Sequence, residues 1–577
     1  MKERTFSVKR VFSYLLPFRA RMALGFLIKV LGTLAELFLP VILTHIMKTV
    51  VGSGDLTRIL LWGLVMLALA AAACVFNIIA NRMAAAVGQR FSEALRRDLF
   101  YRTLTLDTAA TDALTIPSLE SRITTDTYHV HNFVMMIQRM GVRAPILLIG
   151  GVTIALCLDA ALALVMLAVM PLIFVTVYVL SRLGTRLYSR VQTSADGLVR
   201  VLREDYGGMR VIKALSRESH EKERFRARNE SLSSAEQTAS VAMSGTHPVM
   251  NLFMNLGIAA VLLLAATRVS SGTSDAETVI AFMQYFTLIS MALMAVSRMF
   301  VMYSKCSASA RRIGEVLDTV DTVTPIPHTG KACDEFIAFE DVSFSYAGER
   351  DTLSHVSFSL ARGGSLGVIG GTGSGKTTLI KLLLRFYDVT GGKIIFRGRD
   401  IRTYTREELS AFVGVAHQKD FLFAGSVREN VTFGRDFSDE AVWDALRTAQ
   451  AADFVSALPE GLDTPLAAGG TNLSGGQRQR LRLARAVLGP PEILILDDAS
   501  SALDYKTDAA LREALSTLSG ITTVTVAQRA SSVKGCDRIL VLDEGRVIGY
   551  GTHEELLSSC SVYREISDSQ MGGALFE

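Results

Sequence analysis

Six apolar runs, at roughly 22–47, 58–81, 134–157, 160–181, 247–269 and 277–300, fill most of the first 300 residues. A helix rises 1.5 Å per residue, so about 20 apolar residues cross the hydrocarbon core of a bilayer. Within that core each spanning segment must pair its own backbone polar groups, which leaves helices or closed barrels. Runs of this length predict a six-helix membrane bundle. Whole-chain averages conceal it: 49% hydrophobic residues and a formal net charge of +4 over 577 residues mix an apolar half with one that, from about Glu335, has a soluble α/β composition. So small a net charge gives no reason to expect nucleic acid as a partner. The six cysteines (Cys74, Cys157, Cys306, Cys333, Cys536, Cys560) are scattered, without metal-ligand spacing.

The connections between the runs are unequal. Three are short: VVGSGDLT, the turn around Asp159, and SSGTSDAE. The other two are long, helical in pattern and rich in arginine, including Arg82, Arg90, Arg96, Arg97 and Arg102 in the first. Excess Lys/Arg marks the cytoplasmic side. Both termini are therefore expected in the cytoplasm, on a multi-pass protein of the cell membrane. The long connections read as membrane helices continuing into the cytoplasm, each turning once, near 108–115 and near 205–213, where Gly207 and Gly208 interrupt the pattern. Residues 1–20, with an amphipathic Phe6–Phe18, read as an interfacial helix. The membrane domain then runs over 21–320, a linker over 321–335 and a second domain over 336–577. Glu36 lies in the middle of the first run. An intramembrane carboxylate faces a bundle interior or cavity; it is either a substrate or proton contact, or structural, as half of a buried pair or a protonated, hydrogen-bonded acid.

The second domain carries the chemistry. A short strand, Leu366–Ile369, precedes Gly370, Gly371, Thr372, Gly373, Ser374, Gly375, Lys376, Thr377 and Thr378 (GGTGSGKTT). Glycines let backbone N–H groups close around phosphate oxygens, and the following helix points its positive end at them. The spacing assigns Lys376 to the β/γ-phosphates of a nucleotide and the Thr377 hydroxyl to Mg²⁺. Further on, the apolar run ILIL delivers Asp497 as the companion metal-side carboxylate. Between them, Leu473, Ser474, Gly475, Gly476 and Gln477 (LSGGQ) open a helix whose N-terminus offers amides to an anion.

GGTGSGKTT, LSGGQ and the strand ending in Asp497, preceded by six runs with two long connections, resemble the half-transporters of the ABC exporter type. The resemblance covers essentially the whole chain. It implies an all-α six-helix transmembrane domain with long cytoplasmic extensions, followed by an α/β P-loop ATP-binding cassette, with ATP and Mg²⁺ bound. It places Tyr346 against adenine, Gln418 on Mg²⁺ and the membrane domain, Asp504 of SALD at the partner cassette, and coupling helices at the two predicted turns. Two cassettes face head to tail in this family, so LSGGQ of one chain completes the ATP site of the other. The resemblance implies export of a small amphipathic substrate (drug, lipid or peptide) across the lipid bilayer. A siderophore-type importer and an ATP-gated channel or regulatory subunit stand as alternatives.

Three positions depart from the family pattern. Asp498 stands where a Glu usually activates the attacking water, Gln528 where a His usually contacts the γ-phosphate, and Ala468 where a Glu commonly meets the coupling helices. With LSGGQ intact, these changes predict a site in this chain that binds ATP and hydrolyses it weakly. They also predict a heterodimer with a half-transporter carrying Glu and His; a homodimer with two slow aspartate sites is the rival.

Overall fold

The computed structural model describes residues 2–271, 275–327, 335–346, 351–418, 420–499, 501–518 and 520–571. It divides into two compact units, Met1–Thr105 with Thr115–Thr319, and Leu106–Leu114 with Val320–Glu577.

In the first unit, six helices among the described residues are long and apolar enough to cross a membrane: Val8–Ser53, Leu56–Thr105, Ile116–Leu158, Ala160–Ala214, Glu218–Ser270 and Glu277–Asp318. Five of them, all but Leu56–Thr105, contribute apolar residues to a core that includes Leu37, Leu147, Met166, Phe282 and Tyr285. The Tyr285 hydroxyl donates to the Leu37 carbonyl at 2.7 Å, which satisfies the one polar atom that this ring brings into an apolar interior. Farther along, Asp126 is fully buried and accepts hydrogen bonds from Ser309 Oγ at 2.8 Å and Arg312 Nε at 2.7 Å. A buried carboxylate persists only when paired and hydrogen-bonded, and here that requirement pins two long helices together.

The N-terminal helix, Lys2–Ser13, does more than lie at an interface. Val11 is wholly buried, Phe12 meets Phe133 edge-on at 6.4 Å, and Arg10 pairs with Asp318. The second predicted turn lies elsewhere. The helix Ala160–Ala214 runs unbroken through Gly207 and Gly208, and the chain reverses at Leu215–Arg217, with Ser216 at φ +51°. A glycine costs a helix interior only about 0.5–1 kcal/mol relative to alanine. Two do not end a helix that packs along its antiparallel neighbour.

The second unit contains twelve strands among the described residues: β1 (Ile337–Phe344), β2 (Leu353–Leu360), β3 (Ser365–Gly370), β4 (Gly391–Phe396), β5 (Arg399–Asp400), β6 (Val413–Ala416), β7 (Gly425–Ser426), β8 (Pro465–Leu466), β9 (Ile493–Asp497), β10 (Thr522–Val526), β11 (Arg538–Asp543) and β12 (Arg546–Gly551). One sheet has the order β12-β11-β3-β10-β9-β6 and is parallel except at β12. Parallel strands are covered on both faces, and every residue of β9 is buried; hence the uninterrupted apolar run of ILIL. A second sheet, β2-β1-β4-β5, is antiparallel. A separate apolar cluster around Leu446, Leu481 and Leu494 holds the helices Asp439–Thr448 and Gly475–Val487.

The short helix Thr108–Leu114 belongs to this unit. Ala109 packs against its core, Asp107 accepts from the Thr322 hydroxyl at 2.6 Å, and the Tyr387 hydroxyl donates to Asp112. Residues of the predicted linker also lie along this unit: Ile326 N donates to the Arg402 carbonyl, and Arg385 donates to the Thr324 carbonyl, each at 2.9 Å. Residues 328–334 of that linker lie outside the described residues.

Candidate functional site

Strand β3 ends at Gly370, and the helix Lys376–Leu383 begins six residues later. The loop between them requires glycine where the backbone turns left-handed, with φ +84° at Gly373 and +100° at Gly375. At Gly375 a Cβ would also lie 2.6 Å from Leu353 Cδ2. Lys376 folds back over the loop, donating to the carbonyls of Gly370 at 2.9 Å and Gly371 at 2.7 Å. Burial lowers the pKa of this ammonium, with Asp497 and Asp498 acting in the opposite sense.

Asp497 closes β9 beside this loop and is only 4% exposed. Burial raises its pKa, while His417, the Gln418 amide and Lys376 pull it down. Lys376 and Asp497 are thus two groups whose charged forms the fold penalises. A polyphosphate beside the ammonium and a divalent cation beside the carboxylate relieve both penalties, so the residues present fit Mg²⁺ with a nucleotide. The Thr377 hydroxyl and the Gln418 amide oxygen are hard oxygens of the kind Mg²⁺ takes.

Asp498 follows at φ +52°, a conformation uncommon for any residue other than glycine. Its amide donates to the Val526 carbonyl at 2.9 Å. Its carboxylate accepts from Gln418 Nε2 at 3.2 Å and, more distantly, from Gln528 Nε2 at 3.5 Å. The structure therefore brings together the three positions that sequence spacing scatters over more than a hundred residues. Tyr346 stands near the loop, its hydroxyl 3.2 Å from Thr378 Oγ1 and its ring edge-on to Phe344 and Tyr387. Lys381 Nζ lies 5.3 Å from the centre of the Tyr346 ring.

In LSGGQ, Ser474 caps the helix Gly475–Val487: Ser474 Oγ accepts from Gln477 N at 3.3 Å, and Gln477 Oε1 accepts from Ser474 N at 2.9 Å. This reciprocal box satisfies the Ser474 and Gln477 amides within the segment itself. Leu473 is buried as its apolar anchor, and a Cβ on Gly476 would come within 3.2 Å of the Ala502 carbonyl. Asp504 caps the helix Tyr505–Ser516 by accepting from Thr507 N at 3.4 Å. Ala468 lies in the short turn ahead of LSGGQ.

Two residues that sequence reasoning missed organise the site. Gln479 donates to the Asp498 carbonyl at 3.1 Å and accepts from Ala502 N at 3.0 Å, which clamps the loop after β9. Gln570, on the helix Ser561–Met571, donates to the Gln528 carbonyl at 3.0 Å and accepts from Ala530 N at 2.8 Å. A glutamine in a polar helix face carries no periodic signal; the only cue was the repeated Gln in GGQRQR.

In the first unit, Glu36 accepts from Arg143 Nη2 at 2.7 Å and from Nε at 3.1 Å, a two-point ion pair within the chain. Of the two readings left open for Glu36, this supplies the structural pair directly.

Comparison with known proteins bears on family and fold. The profile of the ABC transporter transmembrane region matches residues 22–293, and that of the ABC transporter matches residues 353–501. An uncharacterized ABC transporter ATP-binding protein of Mycobacterium tuberculosis is 34% identical over 96% of each chain. YfiB of Bacillus subtilis, with the same description, is 32% identical over 98% of this chain and 99% of its own. A bacterial Atm1-family ABC exporter solved with ATP bound superposes with a TM-score of 0.82 at 24% identity, covering 96% of this chain and 98% of that one. The fold is thus that of an ABC exporter, and the chain belongs to the ABC transporter family, with the transmembrane region and the ATP-binding cassette joined in one polypeptide.

Proposed function

We propose that this protein is one half of a heterodimeric, ATP-driven exporter of amphipathic substrates, with both termini in the cytoplasm. Its own cassette loop binds MgATP without hydrolysing it rapidly, and its LSGGQ completes the competent site of a partner that carries Glu and His. Tyr346 packs against the base, residues 370–378 hold the phosphates, and Thr377, Gln418 and Asp497 hold Mg²⁺, which neutralises phosphate charge when bound. Ser474, Gly475, Gly476 and Gln477 face the partner's ATP, and Asp504 lies at the contact between cassettes.

The observation that carries this reading is the environment of Asp498. Its side chain is one C–C bond shorter than that of Glu, about 1.5 Å. A general base must come within hydrogen-bond reach of its water. The neighbours that hold this carboxylate are two neutral amides, Gln418 and Gln528, and neither adds positive charge or relays a proton. The signature helix keeps its capping box and its glycines, as expected of a segment still working for another site.

The test uses the assembled pair. Asp498→Asn is expected to change ATPase turnover less than about twofold, because the step it would serve is already slow. Replacing the partner's Glu by Gln is expected to lower turnover by roughly 10²–10⁴-fold, the usual worth of a general base. A loss of that size from Asp498→Asn would overturn the assignment.

A further inference from the structure

Within the membrane unit, charge is gathered at one level of three helices. Lys29 lies on the first, Asn77 on the second, and Arg139 and Arg143 on the third. Lys29 is 4% exposed and donates from Nζ to Asn77 Oδ1 at 2.7 Å and to Asn81 Oδ1 at 3.3 Å; both partners are neutral. Glu36, one turn pair above Lys29, is committed to Arg143 through both carboxylate oxygens. Arg139 Nε is buried without a hydrogen-bond partner among the described residues. Among the described residues, three cations therefore share one acid, leaving two positive charges uncompensated.

Such an excess is costly in the apolar part of a bundle. Cations within spans pair with one another's counter-charges or mark a ligand path, and an unpaired buried charge is far more expensive than a paired one. A permanently buried structural pair would call for a second carboxylate, and the sequence puts only Glu36 in the apolar runs of these three helices. The cluster is also reachable: the Arg143 and Glu36 side chains keep 27% and 25% of their surface open. It lies where the third helix enters its apolar run, so a ligand can lay an apolar tail along the bundle while its head meets the cations.

We propose that this cluster is a binding site for an acidic headgroup, a carboxylate or phosphate, and that the transported amphipath is an anion seated by Lys29 and Arg139. The substrate class rests on the transport reading above, but the binding site does not. Arg143, neutralised by Glu36, positions the site; Arg139, with donors to spare, is the direct contact. Guanidinium matches carboxylate and phosphate oxygens in a two-point geometry that ammonium lacks.

The experiment uses the full chain in nanodiscs of zwitterionic lipid, without nucleotide, so binding is read independently of transport. Dodecyl phosphate, dodecanoate and methyl dodecanoate are titrated separately. The expected result is saturable binding of the two anions, with the neutral ester at least about tenfold weaker. Arg139→Gln and Lys29→Gln are each expected to weaken the anions about tenfold and leave the ester unchanged, and Arg139→Lys to restore part of the loss. ATP binding by the cassette reports that each variant is folded. Should Arg139→Gln not fold, Arg139→Lys, which retains the charge but loses the planar fork, is expected to weaken the anions severalfold by itself. Equal binding of ester and anion, or variants that fold and bind like the parent, would overturn the site. An anionic phospholipid that copurifies stoichiometrically and resists displacement by dodecyl phosphate would assign the headgroup to a resident lipid and overturn the substrate claim. Binding that holds while the assembled pair fails to move dodecanoate would place the failure in the transport reading.

Discussion

Asp497 and Lys376 are two groups whose charged forms burial disfavours. Burial raises the pKa of the Asp497 carboxyl above its ordinary value. The sign follows: a raised carboxylate pKa means that the ionised form is disfavoured in the fold. The penalty is fully present above the folded pKa, shrinks as pH falls from there to the unfolded pKa, and is gone below it. Asp497→Asn is therefore expected to raise the melting temperature of the nucleotide-free cassette at neutral pH, with the gain disappearing under acid conditions, while abolishing Mg²⁺-dependent nucleotide binding. Calorimetry across pH, with and without MgATP, checks both. Gln479 makes a different prediction. It contributes two hydrogen bonds across the loop after β9, so Gln479→Ala is expected to cost about 1–2 kcal/mol, read as a lower urea midpoint for the cassette. At this scale the sequence was legible wherever a ligand dictates spacing, as in residues 370–377. It was silent on Gln479 and Gln570, and on Arg143 as the partner of Glu36, because each contact is one that only the fold brings near.

Among the elements, the long helices deviate most from the pattern reading. Gly207 and Gly208 look like a turn by composition, yet the helix continues to Ala214. Local propensity lost to packing against the following helix, a common outcome because propensity is worth fractions of a kcal/mol per residue. A Cβ at either glycine meets nothing within 4 Å. Gly207→Ala and Gly208→Ala are therefore expected to stabilise the extension by about 0.5–1 kcal/mol each, seen as slower amide exchange along residues 200–214. Loss of stability would return the turn to these glycines. The parallel strands were easier to read, since burial on both faces leaves an uninterrupted apolar run such as ILIL ending at Asp497. The edge strand β12, with its alternating exposed residues, gave no comparable sign.

For the molecule as a whole, the boundary between its compact units is not a single cut in the chain. Leu106–Leu114 belongs with Val320–Glu577, held by Ala109, by Asp107 on Thr322 and by Tyr387 on Asp112. A fragment comprising residues 320–577 is thus expected to bind a synthetic 106–114 peptide saturably and to melt higher in its presence. Asp112→Ala in the peptide is expected to weaken binding about tenfold, the scale of one charge-assisted hydrogen bond; an unchanged melting curve would refute the docking. The same feature bears on how the protein is made. Translation proceeds at about 5–20 residues per second, so Thr108–Leu114 leaves the ribosome tens of seconds before Tyr387 and its neighbours are complete. The membrane bundle must wait with that seven-residue helix unmet, and a ribosome halted after Thr319 leaves behind a finished bundle with an orphaned handle, a ready mark for the cell's quality control.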